Sequence, residues 1–171
     1  MRIVGLDVTS RPRPRKSITC AVCKFDGREL WLQTVERLAT FEEFEAFLQR
    51  PGPWVAGLDF PFGQPRKLVE DLNWPRDWEG YVDHISRMTR HEFELALRTY
   101  WTPRPPGEKF QFRCADKIAR ACSPMMLDYT PVGKMFYEIA PRLMRSGVCV
   151  IPCRLNNSSR VAIEAYPGVL A

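Results

Sequence analysis

With 171 residues, 45% of them hydrophobic and 26% charged, the chain is long enough for one domain with a sizeable core and too short for two full ones. No apolar run approaches the roughly 20 residues of a membrane span, and the N-terminus enters a strand pattern directly instead of a basic and then apolar leader. A soluble, cytoplasmic protein with no membrane partner is therefore expected. The net charge of +5 permits a polyanionic partner without requiring one.

Residues 1–9, MRIVGLDVT, read as a short apolar strand carrying one acid, Asp7. RPRPRK follows as a basic loop that its prolines keep out of regular structure, and SITCAVCKFD reads as a second strand. Asp26-Gly27 is a hairpin turn signal, and RELWLQTVERL supplies the returning strand, so the chain opens with a three-strand antiparallel meander. Thr40, with Glu43 three residues on, predicts a capping box at the start of a helix whose apolar stripe is Phe41, Phe44, Phe47 and Leu48. Pro51-Gly52-Pro53 ends that helix, and PWVAGLDFPFG reads as a buried strand stopped by Pro61 and Gly63.

Residues 64–130 read as a helical insertion, with one helix over Tyr81 to Trp101, a break at TPRPPGE and a second helix from Asp116 to Cys122. Thr130 and Pro131 predict the start of another helix, which runs to Gly147 with Pro141 as a site for a kink or an earlier stop. VCVIP and VAIEAYP are the last strand candidates, with LNNSSR as the loop between them. Because the fourth strand enters through a helical crossover, it is expected parallel to the first, which makes GLDV and GLDF neighbours in a mixed sheet with helices against it.

Six cysteines in a chain expected in the cytoplasm are read as reduced thiols. Cys20 and Cys23 form a CxxC, but three-residue spacing on a strand points the two side chains to opposite faces, which argues against zinc. Cys149 and Cys153 have no histidine nearby to complete a tetrahedral set, and buried free thiols are expected throughout.

Asp59 of GLDF has apolar neighbours on both sides, where burying a lone charge is costly. Asp7 and Asp59 occupy equivalent places in adjacent strands under this arrangement, and Glu164 ends the next strand at the same height. Taken singly, each aspartate fits a strand end bonded to turn amides. Repetition of the phrase and the third acid favour a metal site instead, because like charges converge comfortably only around a cation. Carboxylate oxygens suit Mg²⁺ or Mn²⁺, and two such ions about 3.5–4 Å apart assist hydrolysis of a phosphodiester.

VGLDVTS, GLDFPFG and EAYP, in that order, with FRCAD and GKMFYEIAPRL between the last two, resemble the motifs of a widespread family of predicted RNase H-like nucleases. The resemblance covers most of the chain. It implies a single RNase H-like domain over residues 1–171: an α/β fold with a five-stranded mixed sheet and the helical insertion at 64–130. It also implies a metal-dependent site at the first and fourth strands, with Asp7, Asp59 and Glu164 as the positions carried over. An RNase H-like fold continues into a closing helix after the EAYPG position, where this sequence ends. A domain without that helix is expected, its bared sheet surface covered by a second copy or a partner chain.

Arg11, Arg13, Arg15 and Lys16 follow the Asp7 strand and are read either as a phosphate-backbone clamp or as a solvated loop. Arg98, Tyr100, Trp101, Arg104, Phe110, Phe112 and Arg113 interleave bases with aromatics as single-strand binders do, but are read first as core packing. Arg113 and Asp116 are placed to pair with each other, the alternatives being phosphate binding by Arg113 or a contribution of Asp116 to the metal site. Lys134 lacks the glycine and hydroxyl of a phosphate loop. His84 and His91, seven apart, are expected on one helix face but too far apart to share an ion. Three functions follow in order of support: a metal-dependent nuclease on DNA or RNA, a non-catalytic nucleic-acid-binding or partner-dependent module, and an actin-like or sugar-kinase-type phosphotransferase, which the glycine-free VTSRPRPRK disfavours.

Overall fold

The computed structural model describes residues 1–170 of the chain. The strands are β1 (Arg2–Asp7), β2 (Ile18–Phe25), β3 (Leu30–Leu38), β4 (Trp54–Leu58), β5 (Cys149–Ile151) and β6 (Arg160–Glu164). The helices are α1 (Phe41–Leu48), α2 (Arg66–Asp71), α3 (Trp78–Ser86), α4 (Arg90–Trp101), α5 (Cys114–Ala119) and α6 (Val132–Ser146). They group into two compact units, one of Met1–Phe60 with Arg142–Ala165, the other of Pro61–Pro141 with the residues from Tyr166 on. The fold is mixed α/β, and among the described residues no helix is long and apolar enough to cross a membrane.

The first unit is built on an open sheet of order β3-β2-β1-β4-β6-β5. It has six strands where five were expected, because both VCVIP and VAIEAYP pair, and short β5 adds parallel to β6 at the edge. The predicted meander is present: β1 with β2 and β2 with β3 are antiparallel, while β1 with β4 and β4 with β6 are parallel. At the hairpin, Asp26 Oδ1 accepts from the amides of Arg28 (2.8 Å) and Glu29 (2.9 Å), and Gly27 takes a positive φ of 108° that a side chain would oppose.

Alternation along β1 and β4 buries one face and spares the other. Val4, Leu6, Trp54, Ala56 and Leu58 are buried, whereas Gly5 and Asp7 are exposed and Val55, Gly57 and Asp59 half-buried. On the buried face, α1 contributes Phe44, Phe47 and Leu48, and the Phe47 ring lies 5.7 Å from that of Trp54. Thr40 caps α1 by accepting from the Glu43 amide at 3.2 Å, but the Glu43 carboxylate reaches back to the amide of Ala39, one residue earlier than the predicted box requires. Arg50, just beyond the helix, holds Glu36 of β3 with two bonds of 2.9 and 2.7 Å. The outer strand β3 leaves Leu30, Trp31, Leu32 and Val35 more than half exposed, and its register with β2 shifts between Val22 and Cys23.

The second unit is helical. Where one helix was expected over Tyr81 to Trp101, there are two. Thr89 interrupts them with a complete capping box, its hydroxyl accepting from Glu92 N at 3.2 Å and the Glu92 carboxylate accepting from Thr89 N at 2.6 Å. His84 and His91 therefore lie on different helices, α3 and α4, and not on one face. The short α2 was unforeseen, and Lys67 and Asp71, an i,i+4 pair at 3.0 Å, bracket it. The core of this unit includes Phe62, Leu68, Val82, Ile85, Phe93, Leu97, Met125, Phe136 and Ile139. α6 begins at Val132, one residue later than predicted, and continues through Pro141 without an early stop. It ends before Gly147, whose φ of 73° is the left-handed geometry of a helix C-terminus.

None of the six cysteines is in a disulfide, but only Cys20 and Cys149 are buried, while Cys114, which opens α5, and Cys122, three residues past its end, are exposed. Burial pushes the Cys20 thiol up to about 11. The anchoring of α1 is directly testable. Phe44→Ala, at a position with no exposed surface, is expected to destabilise the protein by about 3–5 kcal/mol in urea denaturation. A loss below about 1 kcal/mol would mean that α1 does not hold the sheet.

Candidate functional site

The two GLD phrases meet as neighbours. Gly5 pairs with Gly57 and Leu6 with Leu58 in the parallel β1–β4 ladder, and the Asp59 amide extends it by donating to Leu6 O at 2.9 Å. Asp7 ends β1 and Asp59 follows β4 directly, at the C-terminal ends of both strands and on the face opposite the buried core, which puts their backbones about one strand spacing (~4.8 Å) apart. This is the end at which open α/β sheets bind ligands.

Glu164 stands one residue short of them. It is level with Leu58, and the Ala165 amide makes the next bond, to Leu58 O at 3.0 Å. The common height expected of three acids therefore holds for two, and strand alternation directs Glu164 toward the other face. Its charge still reaches the pair: burial first, then Asp7 and Glu164, hold the Asp59 carboxyl above its ordinary value of 3.8. Among the described residues, no group of three or more His, Cys, Asp or Glu side chains is gathered closely enough to hold a metal ion.

Two further residues of this site went unnoticed in the sequence. Gly5 and Gly57 lie on the acid face one step before the aspartates, where their lack of side chains leaves a bare backbone floor. A Cβ on Gly5 would meet nothing within 4 Å, while one on Gly57 would come 3.2 Å from the Ala165 Cβ. The signal was present in both phrases, since a residue two before an acid shares its face in a strand.

The basic loop connects β1 to β2 at this same end. It is more ordered than its prolines led us to expect: Arg13 N donates to Lys16 O at 3.1 Å and Lys16 N to Arg13 O at 2.8 Å, closing a tight turn with Pro14 at its second position. Arg11, Arg13, Arg15 and Lys16 are all exposed, and none has an acidic partner among the described residues.

Arg113 and Asp116 belong to the second unit and engage each other. Asp116 is 2% exposed and caps α5 by accepting from Arg113 N at 2.7 Å, while Arg113 Nε and Nη2 reach its carboxylate at 3.0 and 2.6 Å. The interleaved bases and aromatics are mostly engaged with one another or with neighbouring acids. Tyr100 donates to Asp71 at 2.7 Å, Arg104 stacks 4.0 Å over Tyr100 and pairs with Asp71, Arg98 pairs with Asp128, and Trp101 meets Phe110 edge-on at 5.1 Å. Phe112 alone of these rings is substantially exposed, at 42%. Lys134 sits 3.8 Å from both Glu94 and Asp128, in an ion-pair cluster and not a phosphate loop.

Two outcomes are expected. The folded protein holds the Asp59 proton more tightly than the unfolded chain, so this carboxyl's contribution is intact below pH 3.8 and is lost as pH rises through its raised folded value. Asp59→Asn is therefore expected to raise Tm at pH 7 and to lose that advantage near pH 3. A lower Tm at pH 7 would mean that the carboxylate is stabilised by its surroundings. In the second unit, Arg113→Ala leaves Asp116 buried without its cation and is expected to cost about 3–5 kcal/mol in urea. A neutral result there would mean that the Arg113–Asp116 pair does not stabilise this unit.

No family model, curated protein or solved structure matches this chain, so the acid pair is interpreted from its own geometry.

Proposed function

We propose that the chain is a metal-dependent nuclease of RNase H-like architecture, hydrolysing phosphodiester bonds of a nucleic acid at the Asp7–Asp59 pair. The observation that carries this reading is the placement of two aspartates side by side at the C-terminal ends of adjacent central parallel strands, with the proton affinity of Asp59 raised by burial first and then by Asp7 and Glu164. The strand order supports the architecture: a β3-β2-β1 antiparallel meander continues into parallel β4 and β6, with β5 as an added edge.

The donors fit a divalent cation. Carboxylate oxygens are hard ligands, and Mg²⁺ or Mn²⁺ binds through one or two of them with substrate phosphate and water completing the shell. Asp59 has the chemistry of a carboxylate short of a counter-charge, which is what such an ion provides. Asp7 and Asp59 would hold it, while Glu164, one residue short of them and directed toward the other face, adds its charge without being a ligand. When bound, the metal supplies Lewis acidity toward the phosphodiester and its leaving oxygen.

The protein's own residues do the rest. Asp7 and Asp59 fix the position of the charge, and the bare floor of Gly5 and Gly57 lets a flat substrate approach them. Arg11, Arg13, Arg15 and Lys16 hold the phosphate backbone electrostatically, with no preference for sequence. A non-catalytic nucleic-acid-binding or partner-dependent module is the second reading, and the one-residue offset of Glu164 favours it.

Hydrolysis of a panel of single-stranded, duplex and branched DNA and RNA with Mn²⁺ or Mg²⁺ tests the proposal. Wild type is expected to cleave at least one substrate, and Asp7→Asn none while keeping its fold by circular dichroism. Cleavage unchanged in Asp7→Asn would sink the nuclease reading, and metal-independent binding without cleavage would select the second. Neutralising all four loop cations is expected to lower the slope of log K against log salt by about 3 to 4 on duplex DNA, at ~0.9 per phosphate contact. An unchanged slope would make the loop a solvated surface.

A further inference from the structure

The second unit contains a cavity of about 370 Å³ lined by Gln64, Arg66, Val69, Glu70, Arg76 and Tyr81. That volume lies in the range of roughly 300–1,000 Å³ typical of small-molecule sites. Its lining separates three kinds of chemistry. Arg66 and Arg76 are exposed and have no acidic partner among the described residues, so two guanidiniums are uncommitted. Val69 and the Tyr81 ring are both buried and form the apolar wall. Tyr81 is held closely, since a Cβ on Gly63 would come 2.9 Å from its hydroxyl.

The remaining two groups offer only acceptors. Glu70 is exposed on α2, and its carboxylate has no cationic partner among the described residues, even with Arg66 four positions before it on the same helix. Gln64 is 6% exposed and its amide is committed in one orientation, because Nε2 donates to Pro124 O at 3.2 Å. Its Oε1 is consequently left buried with no hydrogen-bond partner. A buried acceptor without a donor is destabilising and is expected to have a role.

We propose that this cavity binds a nucleoside monophosphate unit whose base carries an exocyclic amino group, the phosphate held by Arg66 and Arg76 and the amino edge by Glu70 and Gln64. Paired guanidiniums match phosphate oxygens. A carboxylate accepts from the amino group of cytosine but repels the carbonyl oxygen that uracil presents at the same position. The apolar wall takes the base and sugar. Its lining shares no residue with the acid pair, and its chemistry does not depend on that pair.

The experiment is isothermal titration of the full chain in EDTA, which keeps the readout independent of any metal or cleavage, with CMP, UMP and inorganic phosphate as ligands. CMP is expected to bind at least about tenfold more tightly than UMP or phosphate. Arg66→Ala and Arg76→Ala, both at exposed positions, are each expected to weaken CMP about tenfold or more. Glu70→Gln is expected to abolish the preference for CMP over UMP while preserving binding of both. A short deoxycytidine oligonucleotide identifies the source: tighter binding than CMP assigns the site to a nucleic-acid strand, weaker binding to the free nucleotide, and either upholds it. Equal affinity for CMP, UMP and phosphate would overturn the proposal, as would no binding, or CMP binding that both arginine variants leave unchanged.

Discussion

The parallel pairing of β1 with β4 is the constraint on which the site depends. Because side chains alternate strictly along a strand, a slip of one residue would send Asp59 to the opposite face while Asp7 stayed in place. Register is enforced on the buried side, where Val4 faces Ala56 and Leu6 faces Leu58, so core packing on one face positions the acids on the other. β4 reaches its place only through the crossover containing α1, whose Phe47 packs on Trp54. The chemistry at one end of the sheet therefore traces back to apolar contacts beneath it.

Comparison of the aspartates shows what is unusual about this pair. Asp26 is held below the ordinary carboxylate range by the amides of its turn, and Asp71 by Tyr100 and Lys67. Asp116, though nearly fully buried, receives its cap amide and a guanidinium. Each of these acids is matched by donors. Asp59 is displaced the other way, by burial and two like charges, and carries a cost that folding does not repay. Carboxylates left in that condition concentrate where function requires them.

Much of the sheet unit was legible because its signals are local and strong. The Asp26-Gly27 turn specified the hairpin, the Thr40 cap specified α1, and the helical crossover placed β4 parallel to β1. VCVIP was among the strand candidates, but the five-stranded sheet implied by the resemblance left no place for it; β5 is only three residues long and relies on β6 for its position. The height of Glu164 was misjudged by one residue because register between strands of different entry is a tertiary property that no local motif encodes. In the helical unit, T-R-H-E at residues 89–92 was a capping box in plain view, but an apolar periodicity running through it suggested one long helix. The cavity beside α2 was invisible, since it depends on Gln64 meeting Pro124 across sixty residues of sequence.

The outer strand β3 has a consequence of a different kind. Its free backbone edge runs over nine residues and carries Leu30, Trp31, Leu32 and Val35 with more than half of each exposed. A long apolar edge is a template for adding another strand, and proteins commonly blunt it with charge, proline or a bulge. Here the irregularity between Val22 and Cys23 increases local twist, and Glu36 and Arg37 place opposite charges toward one end. Leu30–Leu32 carries none of these guards, so it is the stretch of the edge best suited to accept another strand, at the end of the sheet away from the acids.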